Sequence, residues 1–237
     1  MSITLPNCSA DTKYETAGGA LKVLDCGVAA YRDMLALQYH LVRARHLGLV
    51  PDTVLCVEHP PVITFGARTG ANRLKVKAEV LSKRGVELVE TRRGGGATAH
   101  NPGQLVIYPI LRAADFGLGV GEYIRRLEQL GAAVLAELGV SAEARTGFPG
   151  LWVGSRKIAS IGVRFSKGIS YHGMAINISN DLSIFDLIVP CGLEGVQVTS
   201  VLEQTGVRHS IADVKDILRT MLAEYFQRPA DICSEQR

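Results

Sequence analysis

Apolar residues recur along this chain with two different periods. At Val28, Tyr31, Leu35, Leu41 and Val42 they return at helical spacing, and Gly48 and Pro51 end the pattern, so a helix is expected over residues 28–47. Tyr123, Ile124, Leu127, Leu130, Val134, Leu135 and Leu138 share a second helical face, closed by Gly139. A last helix is expected from Ser210, with Asp213 three residues on in the manner of a capping box. Its stripe is Ile211, Val214, Ile217, Leu218, Met221 and Tyr225. The other apolar segments are short and β-branched, and read as strands at 53–58, 62–66 (after the Pro60-Pro61 break), 86–90 and 104–111. Beyond the second helix come three more, at 151–153, 157–165 and 171–178.

Strands that cluster in pairs, without helices between them, argue against regular βαβ winding. The expected class is α/β (α+β), a mixed β-sheet flanked by helices. Residues 1–20 are polar and glycine-containing and read as a poorly ordered N-terminal segment. Residues 21–237 read as a single domain, with the main body at 21–208 and the last helix docked on it as a C-terminal appendage. Of the 237 residues 47% are hydrophobic and 21% charged, which excludes a disordered chain, a coiled coil and a collagen-like repeat. A net charge of +3 is too weak to indicate a nucleic-acid partner. No apolar run approaches the ~20 residues needed to span a bilayer, and the N-terminus lacks a basic start followed by an apolar stretch. No membrane association is expected, and the expected location is cytoplasmic. The five cysteines, Cys8, Cys26, Cys56, Cys191 and Cys233, are scattered and show no metal-ligand spacing, so no metal site is expected and they read as free thiols.

Three stretches carry candidate chemistry. In Arg92-Arg-Gly-Gly-Gly-Ala-Thr-Ala-His-Asn-Pro-Gly-Gln, three glycines remove side chains where something approaches the backbone closely, and Arg93, Thr98 and His100 supply polar groups. No Gly-Lys-Ser/Thr and no helix-forming run follows, so it is neither a P-loop nor a dinucleotide turn. By composition alone it is equally a flexible hairpin loop. In Val189-Pro-Cys-Gly, Cys191 lies at a rigid turn rather than inside an apolar element, and a reactive thiolate needs a cationic neighbour. Lys157 opens an otherwise apolar strand, where a buried ammonium needs a partner; an exposed position at the strand start is the plainer reading. In Tyr171-His-Gly-Met-Ala, small residues alternate with larger ones, as in a slot for an extended ligand or a strand packed on another backbone.

Taken together, Glu58-His-Pro-Pro-Val-Ile-Thr-Phe-Gly, Arg93-Gly-Gly-Gly-Ala-Thr-Ala-His-Asn-Pro-Gly-Gln, Lys157-Ile-Ala-Ser-Ile-Gly-Val, Tyr171-His-Gly-Met-Ala-Ile-Asn and Pro190-Cys-Gly resemble the octanoyltransferase family, the lipoyl(octanoyl) transferases. The motifs follow the family's order over about residues 53–200. The resemblance implies a biotin/lipoate protein ligase-type fold. It implies transfer of an octanoyl group from octanoyl-acyl carrier protein to a lysine on lipoyl domains of oxoacid dehydrogenase E2 subunits or on the glycine cleavage H protein. It assigns Cys191 as the nucleophile that carries the acyl group as a thioester, and Lys157 as the cation that lowers its pKa and relays the proton. Arg93, Gly94, Gly95, Gly96, Ala97, Thr98, Ala99 and His100 would form one wall of the substrate site. Ser160, Ile161 and Gly162, with Gly173, Met174 and Ala175, would form the tunnel walls. No cofactor is implied, and a monomer is expected.

Two positions depart from the family pattern. Asn101 replaces a glycine, which a turn tolerates because Asn is the non-glycine residue best suited to φ > 0. Ala99 replaces a common aromatic residue and is expected to widen that side of the site. Three other readings stay open on these residues: an ATP-dependent lipoate ligase on the same fold, a non-catalytic acyl-carrier or lipoyl-domain binding module, and a Cys/His hydrolase with His100 as base.

Overall fold

Two sheets organise the chain, and the candidate residues fall where they meet. The computed structural model describes residues 9–16 and 19–226. Strand β1 (Ser9–Thr16) pairs antiparallel with β2 (Gly19–Val28), and helix α1 (Tyr31–His46) crosses over to β3 (Asp52–Glu58), parallel to β2. Strand β4 (Val62–Phe65), α2 (Ala78–Lys83), β5 (Glu87–Glu90) and β6 (Thr98–His100) follow, then β7 (Gln104–Ile110) and α3 (Val120–Glu137). The second half supplies β8 (Glu143–Arg145), β9 (Phe148–Val153), β10 (Arg156–Ser166), β11 (Ile169–Asn177), α4 (Val201–Thr205) and α5 (Ile211–Tyr225). The large sheet has the order β1-β2-β3-β7-β11-β10-β9-β8 and the small one β5-β4-β6. Each contains one parallel pair, β2 with β3 and β4 with β5, and in both cases a helix makes the crossover that parallel pairing requires. This is the mixed α/β architecture expected from the strand pattern.

Burial divides the core into three apolar clusters. On one face of the large sheet, Tyr123, Leu127, Leu130, Val134 and Leu135 of α3 pack with Val214, Leu218 and Leu222 of α5 against Leu105, Ile107, Met174 and Ile176. On the other face, Tyr31, Met34, Leu37 and Leu41 of α1 cover Leu55, Val57, Val106 and Tyr108. Every residue of β11 is buried, as a central strand covered on both faces requires. The small sheet has its own core, in which Ile63, Ala97 and Ala99 meet Leu81, Ile184, Phe185 and Ile188.

Three expectations need correction. The start of the chain is not a loose segment throughout: residues 9–16 form an edge strand, with residues 1–8 and 17–18 outside the described set. Residues 19–28 form β2 although Gly27, at φ 56°, and the polar Lys22 and Asp25 interrupt their apolar run. The helix expected from residue 28 begins at Tyr31, and Val28 ends β2, largely exposed. Third, α5 is no appendage. Its deepest residues are Val214, Leu218 and Leu222, the rest of the expected stripe (Ile211, Ile217, Met221 and Tyr225) packs against the same core, and Phe226 beyond it is fully buried. The helix also buries Lys215, whose Nζ donates to Asp25 of β2 at 2.6 Å. Ser210 caps α5 as expected, its hydroxyl accepting the Asp213 N–H.

Because α3 and α5 share one core, Leu218→Ala and Leu130→Ala are each expected to lower stability by about 2–5 kcal/mol. Both should unfold in urea in one transition; a separate early transition in Leu218→Ala would mean that α5 is an independent unit.

Candidate active site

Lys157 sits at a kink in β10. Its Cα is opposite Trp152 of β9, but Ala159 is opposite Leu151, so two residues of β10 face one of β9 there. Such a bulge breaks the in-out alternation and re-aims side chains; Lys157, Ile158 and Ala159 are all buried. Lys157 is 4% exposed. The exposed strand-start reading therefore does not hold, and the burial is met by polar contacts. Its ammonium donates to the Pro149 carbonyl at 3.0 Å and lies 5.3 Å from the centre of the Trp152 ring. Gly150 makes room for it: a Cβ there would stand 2.7 Å from Lys157 Cε and 2.3 Å from the Ala159 oxygen, and φ is 128°.

The backbone of Lys157 also fixes the cysteine segment. Its N–H donates to the Gln197 carbonyl at 2.9 Å, and its carbonyl accepts the Thr199 N–H at 2.9 Å. Residues 197–199 thus run as a short parallel bridge beside β10. Upstream of them, Cys191 is the middle residue of a single 3-10 turn, Pro190–Gly192, closed by Gly192 N–H to Val189 O and Leu193 N–H to Pro190 O. Gly192 has φ 73° and lies so close to Ala71 that a Cβ would come within 2.6 Å of the alanine methyl. A proline that presets the turn and a glycine that permits it are the residues this geometry needs. Cys26 and Cys56 are buried in the core, and burial pushes the Cys56 thiol up to about 12. Cys8 and Cys233 lie outside the described residues.

The triple glycine is a packing device. Gly94 N–H donates to the Val163 carbonyl of β10 at 3.0 Å, and a Cβ on Gly162 would meet the Gly94 carbonyl at 2.7 Å. A Cβ on Gly96 would meet the Ala71 methyl at 2.5 Å. The loop therefore lies flat on β10 and on the 69–71 turn, as backbone against backbone. Arg93 is 7% exposed and staples the loop to β4: its guanidinium donates to Thr64 O at 2.6 Å, to Thr64 Oγ1 at 2.8 Å and to Gly94 O at 3.0 Å. It acts there as a fastener of the wall. Ala97 and Ala99 face the small sheet's core, with Ala99 opposite Ile63, so Ala99 does not widen the site. Asn101 is not at positive φ either; its amide donates to Asp181 O at 2.8 Å and its oxygen accepts from Asn180 at 3.0 Å.

Between loop and sheet lies a cleft of about 200 Å³, lined by Lys157, Gly94, Gly95, Ile161, Gly162, Phe148 and Leu193, the last only two residues beyond Cys191. The shared residues Gly94, Gly95, Ile161 and Gly162 connect it to a narrower chamber of about 30 Å³, where Thr98, His100, Ser160, Gly173, Met174 and Ala175 converge with Arg93 and His172. Of the residues singled out in the sequence, Gly96, Ala97 and Ala99 line neither space. The sequence reading missed Arg68, Val120, Ile124, Phe148 and Leu193 at the cleft, and Tyr31 and Tyr108 deeper in. These come from elements distant in the chain and belong to no motif; only Phe148, before Pro149-Gly150, sits where a turn signal stood.

The inner chamber is ringed by imidazoles. His59 Nε2 is 2.8 Å from the Tyr108 hydroxyl, His100 Nδ1 is 2.7 Å from Gln104 Oε1, and Tyr31 stacks on His100 with ring centres 5.8 Å apart. His172 stands at φ 56° within β11, an unusual conformation for a non-glycine residue. Its backbone N–H donates to Gln38 at 2.8 Å, and its two buried ring nitrogens have no hydrogen-bond partner among the described residues. Burial keeps all three imidazoles neutral, lowering His59 to about 4, His100 to about 3 and His172 to about 3, with the Arg93 charge adding to the last two.

A profile of the lipoyl protein ligase A/B catalytic domain matches residues 30–223, which contain every wall just described. The chain belongs to that family. Within it, the chain is 42% identical over 209 residues to an octanoyltransferase of Roseiflexus sp. (strain RS-1), covering 87% of each chain. It is 40% identical over 218 residues to an octanoyltransferase of Chloroflexus aggregans, covering 90% of this chain and 99% of that one. It groups with the octanoyltransferases, a family of acyltransferases. Among solved structures, a lipoate-protein ligase A bound with ATP superposes with a TM-score of 0.65 at 18% identity, over 89% of this chain and 87% of that one. A lipoate protein ligase from T. acidophilum with bound lipoic acid gives 0.63 at 17% identity, over 80% of each. The fold is thus the lipoate/biotin ligase type.

Among the described residues no helix is long and apolar enough to cross a membrane, and no group of three His, Cys, Asp or Glu could hold a metal ion.

The buried imidazoles give acid sensitivity a definite sign. Unfolded histidine takes its proton near ~6.5, but these take theirs only near 3–4, so between those values the unfolded chain binds more protons. Their contribution is complete above ~6.5 and is lost as pH falls, by about 1.4 kcal/mol per pH unit for each histidine. Thermal unfolding is expected to show a Tm that is flat above neutrality and falls steeply towards pH 5, and a shallower fall in His172→Gln.

Proposed function

We propose that this enzyme moves an octanoyl group from octanoyl-acyl carrier protein to a lysine of a lipoyl domain through a thioester on Cys191. The observation that carries the reading is the burial of the Lys157 ammonium at one end of an apolar cleft. Leu193, two residues beyond Cys191, lines the same cleft, and the backbone of Lys157 pairs with residues 197 and 199 further along that stretch. A thiol is only a few per cent thiolate near neutrality, and a cation beside it raises that fraction.

The two half-reactions balance through one lysine. The Cys191 thiolate attacks the donor thioester carbonyl, a new C–S bond forms, and the carrier thiolate leaves with the proton of Lys157. The acceptor amine then attacks the enzyme thioester and loses a proton to Lys157, while the Cys191 thiolate departs and the ion pair is regained. Exchange of one thioester for another is nearly isoenergetic and formation of an amide runs downhill, so no nucleotide is required. The apolar cleft of about 200 Å³, lined by Ile161, Phe148 and Leu193, has room for an unbranched acyl chain beside Lys157. The donor's acyl carrier protein and the acceptors, lipoyl domains of oxoacid dehydrogenase E2 subunits or the glycine cleavage H protein, dock in turn on a monomer in the cytoplasm.

Intact mass after incubation with octanoyl-acyl carrier protein, without ATP, is expected to show one octanoyl increment on Cys191 that chases onto a lipoyl-domain lysine. Cys191→Ser should abolish that chase while the protein stays folded, and Lys157→Ala should slow it by roughly 10²–10⁴-fold. Labelling that requires free octanoate and ATP would show a ligase instead, and no labelling under either condition a binding module.

A further inference from the structure

One buried carboxylate has no part in the reaction just described. Glu128, in the middle of α3, is 8% exposed and points into the sheet rather than to solvent. Its Oε1 accepts the N–H of Gly150 at 3.1 Å. The carbonyl of the same peptide group, that of Pro149, accepts the Lys157 ammonium at 3.0 Å. The peptide is trans, so its N–H and C=O point in opposite directions. A carboxylate therefore sits at the positive end of one peptide dipole and an ammonium at its negative end.

We propose that Glu128 is a positioning residue that holds the Lys157 ammonium in place through the Pro149–Gly150 peptide. The inference rests on the reading of Lys157 given above. Accepting a hydrogen bond from Gly150 N–H draws electron density towards the Pro149 oxygen, and hydrogen bonds in such a chain strengthen one another in a low-dielectric interior. Gly150 is what allows the three groups to align, because any side chain there would displace Lys157. Among the described residues, Arg145 of β8 also places its guanidinium over Trp152, at 4.7 Å. Arg156, next along β10, is drawn towards Glu203 at 3.9 Å.

Glu128→Gln tests this, because the amide oxygen can still accept from Gly150 while the charge is gone. The readouts are the pH dependence of Cys191 alkylation by iodoacetamide and the pH profile of octanoyl transfer. With less charge behind it, Lys157 supports the thiolate less well. Half-alkylation should move up by about one pH unit, and kcat should fall about tenfold with KM little changed. Glu128→Asp, which keeps the charge, should return much of the shift. An unchanged alkylation profile and kcat in a folded Glu128→Gln, with Lys157→Ala inactive, would overturn the role of Glu128 alone. Full transfer by Lys157→Ala would overturn the reading of Lys157 and this proposal with it. A lowered Tm with both pH profiles unmoved would make Glu128 a structural anchor of β9 and overturn the proposal.

Discussion

The site is organised around the burial of one ammonium group. Taking a lysine head out of water is costly unless its donors are met, and the fold meets that demand with backbone. The Pro149 carbonyl is aimed at Nζ by the end of β9, the Trp152 ring lies alongside, and Gly150 leaves space where any other residue would collide. The bulge at Lys157 turns its side chain inward and leaves its own N–H and C=O to residues 197 and 199 instead of the regular ladder. One local irregularity in β10 thus both buries the cation and tethers residues 197–199, downstream of the cysteine turn. A regular strand could do only one of these.

The second constraint is proximity of backbones. Glycines 94, 96, 162 and 192 each stand where an added Cβ would come within about 3 Å of a neighbouring atom, in most cases backbone or a methyl group. The glycine loop therefore packs on β10, and both the loop and the cysteine turn pack on Ala71, as bare main chain. Arg93 holds that loop to Thr64, at the junction of the two sheets. The motif arginine thus belongs to the wall's construction, while the apolar surface of the cleft comes from Ile161, Phe148 and Leu193.

Much of this could be read in the sequence where local pattern and tertiary role coincide. Helical stripes in α1 and α3, the strands around Val54, Ile107 and Ile176, and the Ser210 cap were legible because each follows from spacing or capping chemistry within a few residues. Lys157 was ambiguous, since a lysine after a turn looks the same exposed or buried; only the bulge decides it. The loop alanines misled because a three-residue strand, Thr98–His100, turns Ala97 and Ala99 into the small sheet, and alternation over three residues is too short to read. Asn101 looked like a glycine substitute needing a left-handed turn, yet it serves as a bridge between Asn180 and Asp181, about 80 positions away. Glu128 was invisible as a candidate because its partner is a backbone amide.

Two neutral histidines, two tyrosines and an arginine line the small inner chamber, and His172 adopts a backbone conformation that costs energy to hold. Gln38 of α1 fixes that conformation through the His172 N–H, so α1 and β11 together maintain the strain. Placing β11 there with His172 turned aside lets Gly173 come within contact of the Ile107 carbonyl, where a Cβ would collide at 2.1 Å. The strained histidine and the adjacent glycine act together where β11 lies close against β7. Structures at 17–18% identity share the scaffold alone, and the same fold supports different chemistries according to its site. What distinguishes one chemistry from another on this scaffold is therefore sought in local features such as the Pro190–Gly192 turn and the buried Lys157.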